Sequence, residues 1–188
     1  MKGDKPMYKK YKTIGIDLDN TVWNLGETVV NQINKKYNLD IDYNDCPYNI
    51  DEIFNKYPQI TDDINDLYYD AIAYVQIYKH ALTAIEYLKK EYGATIYFCT
   101  SSTPKELYVK DIMLRYLFDW YDGTQLISCH YKHLLKLDVM IDDLWTHFGD
   151  NKLHLLYAQP YNKDAQTGDP VMHRCEDWLE VVRWIIEE

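Results

Sequence analysis

The spacing of hydrophobic positions changes period several times along the chain, and each change marks an element. Residues 12–18, YKTIGID, form an apolar, β-branched run that stops at acidic residues, which predicts a buried strand delivering carboxylates at its carboxyl end. From Gly26 to Tyr78 the period becomes helical, as in ETVVNQINKKYN and DDINDLYYDAIAYV, with Asn, Asp and Pro breaks near Pro47 and Pro58. This segment predicts a helical insertion. HALTAIEYLKKEYG then spaces Ala81, Ala84, Ile85 and Leu88 at helical intervals and ends at Gly93, a helix-stop signal. Further strands are expected at 94–99 (ATIYFC), around TQLIS, at 137–141 (LDVMI) and at 153–158 (LHLLYA), with a helix over about 105–117 after the polar TSSTP loop. A loop rich in Pro, Asn, Gly and Asp at 159–170 precedes CEDWLEVVRWIIEE, which reads as a terminal amphipathic helix.

Strands alternating with helices predict an α/β fold built on a parallel sheet with both faces covered, and ligands of such sheets sit beyond the strand carboxyl ends. The residues that end each strand therefore matter most. They are Asp17 and Asp19 after the first, Thr100 and Ser101 after the second, Lys132 just past the third, and Asp142 with Asp143 after the fourth. A surface DxD on its own is more often a solvated turn. Here its position at a strand end, completed by three later polar groups on the same edge, favours a functional reading.

Composition narrows the chemistry. With 47% hydrophobic and 27% charged residues over 188 positions, the chain is long enough for one enclosed core plus a small insertion. A formal net charge of -10 opposes a nucleic-acid backbone, so a polymer partner is disfavoured, whereas a small anion held by a cation and a lysine is not. Cys46, Cys99, Cys129 and Cys175 form no CxxC pair and read as reduced thiols. The basic start with Lys2, Lys5, Lys9, Lys10 and Lys12 leads into an apolar stretch broken at once by Asp17 and Asp19, which fits no secretory signal. No window reaches the ~20 apolar residues of a membrane span. The expected compartment is the cytoplasm.

Phosphoryl transfer needs what this edge supplies, because its catalysis is largely positioning and stabilisation of charge on the equatorial oxygens. Clustered carboxylates repel unless a cation joins them, and magnesium takes one or two carboxylates, waters and a phosphate oxygen. Asp17 and Asp142 are the expected side-chain ligands. The second oxygen of Asp17 could then attack phosphorus, with Asp19 protonating the leaving oxygen and later accepting a proton from water. Thr100 offers a hydroxyl and Lys132 a compact positive charge, with Lys136 as an alternative one helical turn away. The six histidines share no ligand spacing and are assigned no metal.

DLDNT at 17–21, Thr100, Lys132 and IDD at 141–143 resemble, in order, the four motifs of the haloacid dehalogenase (HAD) superfamily. CTSS after the second strand, the step from Lys132 to Asp142, and LLYAQPYN followed by a Trp-bearing helix are similar to features of the C-type 5'-nucleotidases, the 5'(3')-deoxyribonucleotidase group. The resemblance implies a HAD-like Rossmannoid sheet, with residues 1–25 and 79–188 as the core domain and 26–78 as a small helical cap. It implies Asp17 as nucleophile, Asp19 as acid/base and as a magnesium ligand through its backbone carbonyl, and Thr100 with Ser101 on the phosphate. Asp142 would complete the metal site, supported by Asp143. Cap aromatics such as Tyr48, Phe54, Tyr68, Tyr69 and Tyr78 fit helix packing, while Tyr74, Leu25 and Trp23 become candidates for base contact. Asn20, Ser102 and Leu144 depart from the group's usual Gly, Pro and Arg.

The implied activity is magnesium-dependent hydrolysis of a phosphate monoester, a nucleoside monophosphate for choice, by an aspartyl-phosphate route. A broad metabolite phosphatase uses the same chemistry with a different cap, and a non-catalytic nucleotide-binding module would keep the scaffold without turnover. Oligomeric state is left open, with a homodimer as the candidate assembly.

Overall fold

The computed structural model describes residues 10–165 and 168–187. The basic run with Lys2, Lys5 and Lys9 lies outside them. Six strands, β1 (Thr13–Ile16), β2 (Thr95–Thr100), β3 (Leu126–Ser128), β4 (Val139–Asp142), β5 (Leu153–Tyr157) and β6 (Met172–Cys175), form one sheet in the order β3-β2-β1-β4-β5-β6. Every pairing is parallel. All side chains of β4 and β5 are buried, and since successive residues point to opposite faces, both faces of the sheet are covered.

Strand order reverses at β1. The chain moves outward from β1 to β2 and β3, then returns to place β4 on the other side of β1, which makes the β1–β4 border the switch point where parallel sheets open a crevice at their carboxyl edge. The two strands are locked in register, Ile16 beside Ile141, and the Asp17 N–H donates to the Ile141 carbonyl at 2.9 Å. Asp17 and Asp142 are therefore set side by side by the sheet itself.

Helices α1 (Leu25–Tyr37), α2 (Asp51–Lys56) and α3 (Ile64–Ile72) occupy the stretch between β1 and α4 (Ala81–Lys90), in agreement with the helical period read there. Helix α5 (Pro104–Leu117) starts where the polar loop ends because Thr103 and Glu106 form a reciprocal capping box with Pro104 in the first turn. The chain finishes with α6 (Trp178–Glu187). Gly93, past the end of α4, has φ 76°, the left-handed conformation that suits glycine.

Strand β6 differs from the sequence expectation, which ran a loop directly into the last helix. MHRC carries no continuous apolar run because an edge strand pairs on one side only: Met172 to Cys175 lie against His154 to Tyr157 of β5, and His173 stacks on Trp184 of α6 with centroids 3.6 Å apart. Among the described residues no helix is long and apolar enough to cross a membrane.

Candidate active site

Four chain segments meet above the switch point. Asp17 follows β1, Asp142 ends β4, Asp143 comes next, and each offers a carboxylate oxygen within 4.8 Å of the others, all three side chains being buried. Lys132, 2% exposed in a short 3-10 turn after β3, donates to Asp142 Oδ2 at 2.8 Å and to Asp17 Oδ1. Lys136 is exposed, so of the two lysines it is Lys132 that the structure brings to these carboxylates.

The electrostatics are unbalanced in favour of negative charge. Burial raises Asp17 to about 7, an effect that Lys132 opposes and the Asp142 and Asp19 carboxylates add to. Asp143 is likewise raised well above the carboxylate range by burial and by Asp142 and Asp17. Burial pushes Asp142 upward too, but the Lys132 ammonium and the hydrogen bond with His147 hold it below its ordinary value. Lys132 is raised because the two carboxylates outweigh its burial. One ammonium among three buried carboxylates leaves room for a further cation.

Asp19 sits elsewhere than its carboxylate neighbours. Its Oδ1 accepts the indole N–H of Trp23 at 2.8 Å, and its Oδ2 pairs with the ammonium of Lys110. Lys110, on the inward face of α5 and 1% exposed, also reaches Thr100 Oγ1 at 3.0 Å and Ser102 Oγ at 2.6 Å. Thr100 itself is fully buried and hydrogen-bonded to Ser102, and Ser101 meets His130 Nδ1 at 2.9 Å.

Supporting residues hold the carboxylates in place. Tyr161 donates its hydroxyl to Asp143, and buried Asn162 donates to the Asp143 carbonyl and the Tyr157 carbonyl, both at 2.8 Å. Asn20 has φ 58°, a left-handed conformation that asparagine tolerates better than most residues, which explains how it replaces glycine after Asp19. Its Oδ1 accepts the N–H of Gly26 at 2.7 Å, and its carbonyl accepts Gln159 Nε2 at 2.7 Å. Gln159 also bonds Tyr78 and Tyr43, so a single buried amide ties the β5 loop to the loop after β1 and to the insertion.

A cavity of about 550 Å³ opens over Asp17, Asp19, Lys132 and Asp143. Leu25, Ser101, Ser102, Glu106 and His130 contribute to its wall, and from residues 26–78 come Tyr48, Asn49, Asn65 and Tyr68.

Two sequence expectations are corrected by this geometry. Tyr74 lies 70% exposed on a different groove, lined by Gln32, Lys35, Tyr69 and Val109, because α3 has ended before it and turned it outward; Tyr48 and Tyr68, expected to be packing residues, face the cavity in its place. Trp23 is fully buried with its indole on Asp19, so it has no face free for a ligand. Leu25 does line the cavity. Sequence reasoning missed Lys110, His147 and Tyr161. Lys110 was open to detection, since it falls between Leu107, Leu114 and Leu117 at helical spacing on the inward stripe of α5.

No family profile and no curated protein matches the sequence. Solved structures do. The HAD-hydrolase YfnB from Bacillus subtilis bound to magnesium superposes with a TM-score of 0.58 at 12% identity, over 94% of this chain and 99% of that one. A HAD family hydrolase from Deinococcus radiodurans with bound phosphate and sodium gives 0.57 at 12% identity, covering 92% and 94%. A HAD-superfamily hydrolase of subfamily IA, variant 1, from Geobacter sulfurreducens gives 0.55 at 12%, covering 93% and 96%. At these identities the likeness speaks for architecture alone: the chain has the HAD-like Rossmannoid fold, with its carboxylate cluster at the switch point of the sheet.

Proposed function

We propose that this chain is a divalent-metal-dependent phosphomonoester hydrolase that works through an aspartyl-phosphate on Asp17, with nucleoside monophosphates as its substrates. The observation that carries the reading is the trio of buried carboxylates, Asp17, Asp142 and Asp143, opposed by one ammonium and open to a polar cavity. An all-oxygen donor set suits a hard cation such as magnesium, and the surplus negative charge of the trio calls for one. Asp17, Asp142 and Asp143 would hold it, together with the Asp19 carbonyl that the HAD resemblance implies. Bound there, the cation would neutralise the carboxylates and polarise the phosphate oxygens.

The chain's own groups supply the remainder. A phosphate entering the cavity would meet the Ser101 and Ser102 hydroxyls and the Lys132 ammonium, which line it together with Asp17 and would orient phosphorus toward that carboxylate. An Asp17 oxygen attacks phosphorus, the bond to the leaving oxygen breaks, and Asp19, oriented by Trp23 and Lys110 and reacting in its carboxylic acid form, gives up its proton to that oxygen and is left as the carboxylate. Water then attacks the phosphorylated Asp17 as Asp19 takes up its proton, and inorganic phosphate departs with the carboxylate restored. Residues 26–78 act as a cap over the core formed by 1–25 and 79–188. Tyr48 and Tyr68 provide ring faces, and Asn49 and Asn65 amides, to a base in the leaving group.

The polar wall of Asn49, Asn65, Glu106 and His130 favours a second reading, a phosphatase of sugar or other polar metabolite phosphates. A panel of monophosphates assayed with magnesium decides between them. Nucleotides should be turned over in preference to sugar phosphates, with Asp17→Asn inactive. Release of phosphate from sugar esters but from no nucleotide would overturn the substrate assignment, and full activity of Asp17→Asn would overturn the mechanism.

A further inference from the structure

The turn after β5 ends the stretch LLYAQPYN, and its last two residues converge on Asp143. Tyr161 donates its hydroxyl to Asp143 Oδ2, and the fully buried Asn162 amide donates to the Asp143 main-chain carbonyl. Asn162 is fixed in turn, its Oδ1 accepting the Gln159 N–H at 2.9 Å and Arg174 Nε at 3.1 Å. Consecutive residues of one turn thus hold the side chain and the main chain of one member of the carboxylate trio.

The other two members take their donors elsewhere. Lys132 bonds both Asp17 and Asp142, and Asp142 also takes the Leu144 N–H at 3.0 Å and the His147 ring at 2.9 Å. Asp143 forms no ion pair among the described residues, so the Tyr161 hydroxyl sets the direction of its side chain. The Tyr161 ring stands behind the cavity wall, edge-on to the ring of Tyr48 with centroids 5.4 Å apart and planes at 68°, a favourable T-shaped pair. Tyr48 lines the cavity, so the hydroxyl is braced from the side of the insertion.

Magnesium demands a near-ideal octahedron with short bonds, whereas calcium accepts looser geometry and carboxylates that bind through one oxygen or two. A hydrogen bond on Oδ2 leaves Oδ1 for a cation and keeps the carboxylate from swinging into a two-oxygen grip. We propose, on the basis of the metal-dependent reading above, that Tyr161 is a positioning residue of the cation site: by fixing the Asp143 carboxylate it gives the trio a preference for magnesium over calcium.

Isothermal titration calorimetry on the full chain, stripped of metal with chelator, tests this with magnesium and calcium as the probes. Tyr161→Phe keeps the ring and loses the hydroxyl, and its magnesium Kd should rise about 10–100-fold, the scale on which removing a group that orients a metal ligand acts. Its calcium Kd should rise by about threefold or less, because calcium tolerates a mobile ligand. Tyr43→Phe removes another tyrosine hydroxyl from the same turn, the one 3.1 Å from Gln159 Oε1, and should leave both constants unchanged. A Tyr161→Phe chain that binds magnesium as tightly as the parent, or that loses both ions equally, overturns the proposal while the metal site stands. So does a parent chain with no preference for magnesium. A parent that binds neither ion overturns the metal-dependent reading itself, and the proposal with it. If Tyr161→Phe fails to fold, Tyr48→Ala at a half-exposed position decides: withdrawing the brace should narrow the preference for magnesium, and an unchanged preference overturns the proposal.

Discussion

The ammonium of Lys110 and the carboxylate of Asp19 form an ion pair across 91 residues of sequence, joining the middle of α5 to the loop after β1. The same ammonium holds the hydroxyls of Thr100 and Ser102, so the proposed proton donor and the proposed phosphate-binding loop are positioned by one buried charge. Replacing Lys110 with Met should lower kcat by about 10²–10³-fold, the scale lost when an oriented electrostatic group is removed. Steady-state kinetics on a variant with unchanged circular dichroism checks this, and a kcat within threefold of the parent would remove Lys110 from the mechanism.

Lys132 presents a different balance. It is the sole ammonium contacting Asp17 and Asp142 among the described residues, and its removal leaves buried carboxylates facing one another. Lys132→Met should destabilise the fold by about 3–5 kcal/mol, as breaking one side of a buried ion pair does. Urea melts should show this loss, and magnesium should recover part of it.

Metal linkage can be read without any substrate. A cation held only by the folded carboxylate cluster adds about 2.7 kcal/mol at a hundredfold excess over its Kd. Thermal melts should shift upward with magnesium and return with chelator, and the shift should vanish in Asp142→Asn. Identical melts with magnesium and with chelator would count against a metal site.

Asp138 gives a pH test remote from the site. Burial raises its carboxyl, but the ion pair with Lys152 and the N–H groups of Lys12 and Thr13 outweigh burial and hold it at about 2. A carboxyl depressed by folding contributes stability above its unfolded pKa, near 4, and loses it as pH falls toward 2. Asp138→Asn should therefore cost about 1–3 kcal/mol at pH 7, and the gap between the two proteins should narrow between pH 4 and 2. A constant gap would show that the charge is not the cause.

Gly149 supports the loop that carries Lys132. A Cβ added there would lie 2.0 Å from the His133 carbonyl oxygen, a backbone atom with no rotamer to escape into. Gly149→Ala should cost about 1–3 kcal/mol of stability and reduce activity more than stability alone explains, because His133 adjoins Lys132. Thermal melts and kinetics on one preparation separate the two effects.

Much of the architecture was legible because strands buried on both faces leave continuous apolar runs, and because the residues ending those runs were acidic or hydroxylic. TIGID, TIYFCT and VMIDD each show this, and the observed termini of β1, β2 and β4 fall within a residue or two of the expected ones. Strand β6 was hidden because its half-buried edge position leaves Met, His and Arg where a central strand would carry Val or Ile. The partners of the carboxylates were harder still. Tyr161 reaches Asp143 from the loop after β5, and His147 reaches Asp142 from a short 3-10 turn just beyond β4, and periodicity encodes neither contact.

The placement of β4 beside β1 has a consequence for biosynthesis. The two strands are separated by more than a hundred residues, and β1 is the central partner of both β2 and β4. A nascent chain that has released only its first three strands carries Asp17 on an uncapped sheet edge, a template for pairing with other chains. Arrival of β4 closes that edge and completes the anionic cluster in the same event, so a half-made polypeptide has neither the carboxylate trio nor a protected border.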